Sequence, residues 1–171
     1  MRIKLALTGM ILVGIMGCAH MREMEEEEAI YGKNTPVIEQ SFASDRLNIG
    51  DPWKIYFLAS DPDGDMETII AIVEQVAMGS YPASLTKIKK ENKKELSGYI
   101  YLTTQGCDFL YDQKLTVSIQ IRDKAGHISK AVTHSVVPLT RQTQKSPPEG
   151  VFKEKDLGPI MVILRPVSGR R

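Results

Sequence analysis

The sequence predicts an all-β domain, an antiparallel sandwich of two sheets, and three observations carry that reading. Apolar and polar residues alternate with period two in several separate stretches, as in strands with one buried face. Clusters of Gly, Pro, Asp and Asn divide these stretches at the intervals of a sandwich. The 171 residues, 42% of them hydrophobic, suffice for one modest core and one domain.

The chain opens MRIKLALTGMILVGIMGC, with Arg2 and Lys4 ahead of an apolar run from Leu5 to Met16, then Gly17 and Cys18. This is the order of a secretory signal, and the run is too short for a stable membrane span. Its end, Ile15-Met16-Gly17-Cys18, resembles a bacterial lipobox, in which the cysteine is acylated. The resemblance implies a signal peptide over 1–17, covalent lipid on Cys18 and a membrane-anchored lipoprotein. Ala19 resembles the outer-membrane pattern, because an aspartate there is the usual inner-membrane retention signal.

Without Arg2 and Lys4 the chain carries 20 Lys and Arg against 21 Asp and Glu. That balance leaves no footprint for nucleic acid. With lipid on Cys18, Cys107 has no partner in the chain, which excludes a disulfide framework. Cys107, within TTQGCDFLYD, reads as a small half-buried residue. Residues 18–35, with four glutamates from Glu25 to Glu28, are too polar to join a core and read as a flexible acidic tether.

The sandwich is expected over 36–139. A first strand fits Val37 to Phe42. Trp53, Ile55, Phe57 and Ala59 then share one face of a second, with Lys54, Tyr56 and Ser60 on the other. Residues 66–78 fit a helical stripe as well as a strand. Their isoleucine and valine content, between neighbouring strands, favours a buried central strand. Ala83 to Lys89, Gly98 to Leu102, Leu115 to Arg122 and His127 to Val137 complete the set. Residues 140–157 read as a polar linker containing Pro147 and Pro148. Ile160 to Leu164 is too β-prone to be left in water and is expected to add an edge strand, within a final segment 158–171 whose last residues, Ser168 to Arg171, are disordered.

One loop carries candidate chemistry. LASDPDGDMETI sets Asp61, Asp63 and Asp65 on alternate residues around Pro62 and Gly64. The EF-hand template fails, because its sixth and twelfth positions need Gly and Glu and here are Met66 and Ile72. Elsewhere His20, His127 and His134 make no zinc set, and no nucleophile elbow, P-loop or dinucleotide fingerprint occurs. KIKKENKKEL concentrates Lys87, Lys89, Lys90, Lys93 and Lys94, either as a solvated loop or as an attraction for headgroups or polyanions.

The order strand, ASDPDGD, strand, then IRDKAGH and a last strand resembles extracellular immunoglobulin-like modules of the cadherin-like and PKD-like kinds, over about a hundred residues. The resemblance implies an immunoglobulin-like antiparallel β-sandwich of about seven strands with an extra C-terminal strand. In that topology 53–60 is strand B and 115–122 strand F, so the B–C and F–G loops share one end. Asp61, Asp63, Asp65 and Asp123 could then hold calcium. Aspartates that serve only to turn the chain would give the same sequence.

The expected function is a lipid-anchored, non-catalytic structural or binding module of the cell envelope. The alternatives are a calcium-dependent adhesion module and an assembly factor that binds an envelope protein or a polyanionic polymer.

Overall fold

A computed structural model describes residues 24–167. The signal, Cys18, His20 and Ser168 to Arg171 lie outside the described residues. A helix over 24–31 (α1) comes first. The strands follow: β1 Val37–Ala43, β2 Arg46–Asn48, β3 Trp53–Ser60, β4 Met66–Gln75, β5 Gly79–Ser80, β6 Ser84–Lys87, β7 Glu95–Leu102, β8 Leu115–Asp123, β9 Val132–Leu139 and β10 Asp156–Pro159.

One sheet runs β1-β3-β7-β10, and the other β2-β9-β8-β4-β5 with β6 also paired to β4. Their order is that of an immunoglobulin-like sandwich: β1, β3 and β7 stand as strands A, B and E, and β9, β8 and β4 as G, F and C. The pairs are antiparallel except β2 with β9 and β10 with β7.

The core follows from the alternation. Trp53, Ile55, Phe57 and Ala59 of β3 face Leu115, Val117, Ile119 and Ile121 of β8 between the sheets, all fully buried. The Trp53 indole N–H is satisfied by the Ser44 carbonyl at 2.9 Å, as a buried donor requires. β4 is a strand along its length, because β8 on one side and β6 on the other bond its backbone. Among the described residues, every member of the buried core lies between Leu47 and Leu164.

Three elements differ from the sequence expectation. The last sandwich strand begins at Val132 instead of His127. Before it, the Ser129 hydroxyl accepts the Ile121 N–H at 2.9 Å, replacing a ladder bond with a side chain. The C-terminal strand forms at Asp156–Pro159, ahead of Ile160 to Leu164. Beyond Pro159 the chain crosses between the sheets: Ile160 N bonds the Tyr101 carbonyl of β7, and Met161 N bonds the Ser84 hydroxyl of β6. Ile160 and Leu164 are thereby buried, while Met161 and Ile163 face water.

The segment expected as a linker is also structured. Phe152 packs against Tyr56 with its ring tilted, and Glu154 accepts hydrogen bonds from the Tyr56 hydroxyl and the Lys54 ammonium. That cover buries Tyr56 although it points away from the core. Gly98 lies beneath this segment, where a Cβ would strike the Lys155 carbonyl.

Candidate metal centre

The inward rows of β3 and β8 do not stop at their aliphatic residues. One position beyond Ala59, on the same face, stands Asp61; one position beyond Ile121 stands Asp123. Both side chains therefore close the end of the core, each 1% exposed. Pairing of Met66 with Asp123 sets Asp65 beside them, 7% exposed. One oxygen from each of Asp61, Asp65 and Asp123 lies within 4.8 Å of the others. The two sheets thus end in a buried cluster of three carboxylates.

Backbone bonds hold the loops that carry them. Asp61 N donates to the Lys94 carbonyl at 2.9 Å, Met66 N to the Lys93 carbonyl at 3.2 Å, and Asp123 N to the His127 carbonyl at 3.1 Å. Each carboxylate also spends oxygen locally. Asp61 Oδ1 accepts Asp63 N at 3.0 Å, and Asp65 Oδ2 accepts Lys124 N at 3.2 Å. Asp123 accepts the backbone N–H of His127 at 2.7 Å and meets its Nδ1 at 2.9 Å. Asp61 Oδ2 and Asp65 Oδ1 are left buried with no partner. Among the described residues no lysine or arginine pairs with any of the three.

The electrostatics follow from this placement. Burial first, and then the adjoining Asp65 carboxyl, push Asp61 up to about 6. Burial also raises Asp123, against the opposing pull of His127. Burial works against charge on His127, yet the carboxylates of Glu28 and Asp123 outweigh it and hold the imidazole above its ordinary pKa. Two unsatisfied buried oxygens within a group of like charges call for a shared proton or a cation.

The structure brings together three of the four aspartates expected to cluster. Asp63 is turned outward, where its carboxylate accepts Asn34 N and Asn34 Nδ2, both at 2.8 Å. These bonds lower its pKa. Asp63 follows Pro62 at the exposed tip of the loop, so it alone behaves as a turn and docking residue.

Sequence reasoning missed two members of the surroundings. His127 returns onto Asp123 because the Ala125-Gly126 turn lies between them, a relation visible in the spacing of DKAGH. Glu28 meets His127 Nε2 at 3.2 Å across 99 residues of chain, and no local signal announces it. The acidic stretch is accordingly docked helix: Gly32 packs so closely on Asp63 that a Cβ would collide with its carboxylate, and Lys124 sits 4.6 Å from the Tyr31 ring.

Cys107 is half-buried with its thiol pushed up by burial. His134 is on β9, held to the Ser41 hydroxyl at 3.0 Å and lowered by burial.

No protein-family model and no curated protein matches this sequence. Among solved structures, the PKD domain of an M14-like peptidase from a Thermoplasmatales archaeon is similar over 63% of this chain and 98% of its own, at 18% identity and a TM-score of 0.38. A CARDB domain from Pyrococcus furiosus, solved in complex with di-metal ions, is similar over 61% of this chain and 88% of its own, at 10% identity and a TM-score of 0.32.

Proposed function

We propose that the protein is a non-catalytic binding or structural module of the bacterial cell envelope, anchored by lipid on Cys18, whose sandwich is closed at one end by calcium. Asp61, Asp65 and Asp123 are the protein ligands. The observation that carries this reading is the pair of buried, unpartnered oxygens, Asp61 Oδ2 and Asp65 Oδ1, beside a third carboxylate from the neighbouring strand.

The chemistry of the donors favours calcium. Three carboxylates carried on strand ends and irregular loops suit calcium, which takes about six to eight oxygen ligands in flexible geometry. Magnesium requires a stricter octahedron and keeps several of its waters, which suits a buried loop-built site less well. Asp61 and Asp123 each bond a backbone N–H of their own loop, a turn role that asparagine would fill without burying a charge, and both are nonetheless buried carboxylates.

An ion here would act on more than its ligands. Two hydrogen-bonded paths lead from the triad to the N-terminal segment, one through Asp63 to Asn34, just past the helix, and one through His127 to Glu28 within it. Calcium would therefore fix the loops and the segment leading to the anchor as one body, setting how the domain stands on its membrane. The outer membrane is the proposed location, on the pattern at Ala19.

Calorimetric titration of calcium into residues 19–171 at pH 7.5 tests the cation. One site is expected, abolished by Asp61→Asn or Asp65→Asn and retained by Asp63→Asn. Absence of binding would overturn the cation reading and leave a protein-binding module, for which exposed Met161 and Ile163 on the C-terminal crossing are the candidate surface.

A further inference from the structure

We propose that a lysine-lined hollow beside the metal centre is a docking site for the phosphate headgroups of anionic lipid. The hollow lies between the turn after β6 and the β8–β9 loop. Lys87, Lys89, Lys90, Lys93 and Lys124 line it, with Glu67 as its acidic member. Among the described residues none of these lysines forms an ion pair with a carboxylate. In a chain of nearly balanced charge this is a local excess, in which only Lys124 has a described partner, the Tyr31 ring. Lysines that served only to offset the acidic triad would pair with it, and they do not.

The position of the hollow selects its partner. The turn carrying Lys93 and Lys94 bonds directly to the loop of Asp61 and Met66, so hollow, triad and helix α1 share one end of the sandwich. Helix α1 begins at residue 24, six residues beyond Cys18. Even fully extended, that stretch reaches only about 20 Å. A bilayer holding lipid at Cys18 therefore lies within reach of this end and far from the opposite one. Glu25 and Glu26 of α1 are exposed nearby but do not line the hollow.

The argument takes the anchored N-terminus from the function proposed above, and its test does not. Residues 19–171, which carry no lipid, would be sedimented with vesicles of phosphatidylcholine alone or mixed with phosphatidylglycerol, in low and in high salt. Binding is expected only to the anionic vesicles and is lost in high salt. Each lysine removed should weaken it on the order of five-fold, so Lys87→Glu, Lys89→Glu and Lys90→Glu together should abolish it. A matched set at the opposite end of the sandwich, Arg46→Glu, Lys114→Glu and Arg141→Glu, should retain most of it. Circular dichroism on both variants separates lost binding from lost fold. No preference for anionic vesicles, equal loss in the two variants, or binding to soluble polyphosphate without binding to vesicles would overturn the proposal. Failure of Cys18 to carry lipid would be seen separately, by mass spectrometry of the full chain.

Discussion

Asp61 and Asp63 stand two residues apart in one loop and meet opposite surroundings. Asp61 ends a core row and is pushed up to about 6 by burial and Asp65; Asp63 is exposed and lowered by Asn34. The difference sets a sign for pH. For Asp61 the folded value lies above the ordinary 3.8, so its contribution to stability is present below about pH 4 and lost as pH rises through about 6. His127, also raised, adds stability that is present below its ordinary 6.5 and lost at higher pH. Asp63, lowered by its bonds to Asn34, adds stability that is present above about pH 4 and lost only in stronger acid. Cation-free protein is therefore expected to melt at a higher temperature at pH 5 than at pH 7.5, a difference that millimolar calcium should erase.

The same residue gives a second prediction. In chelator at pH 7.5, Asp61→Asn should stabilise the protein by about 1–3 kcal/mol, because the amide oxygen keeps the Asp63 N–H while the repulsion is removed. Urea denaturation measures it, and a loss of stability would return Asp61 to the role of a turn residue. Period two made this placement legible: the row 53, 55, 57, 59 extends to 61, and the row 115 to 121 extends to 123. Asp63 was not separable from them by sequence, because what turns it outward is Asn34, 29 residues away.

At the scale of elements, the strands that alternate cleanly fall where the pattern sets them, and β3 spans Trp53–Ser60 as expected. The two ends of the chain were harder to read for a common reason. Helix α1 and the C-terminal crossing are held by contacts distant in sequence, Glu28 to His127 and Met161 to Ser84, which no local propensity encodes. Within the crossing, alternate residues should differ sharply. Ile160→Ala is expected to cost about 2–4 kcal/mol, as for a buried aliphatic side chain, and Met161→Ala less than about 0.5 kcal/mol. Urea denaturation of the pair checks this, and equal effects would contradict a structural role for the crossing. Gly98→Val, by forcing the Lys155 carbonyl away, should detach β10 and open residues 140–157 to protease.

At the scale of the molecule, the proposed lipid anchor and the proposed cation would make the docked helix and the sandwich one body standing on a membrane. The anchor predicts that Cys18→Ser moves the protein from the membrane to the soluble fraction of fractionated cells; continued membrane retention would contradict it. The cation is the central claim, and thermal unfolding of residues 19–171 at pH 7.5, in chelator and in millimolar calcium, tests it most directly. A ligand that binds only the native state raises its midpoint by mass action. The account predicts a rise of several degrees that persists in Asp63→Asn and vanishes in Asp61→Asn. An unchanged midpoint in the wild-type chain would contradict it and leave the triad to share a proton.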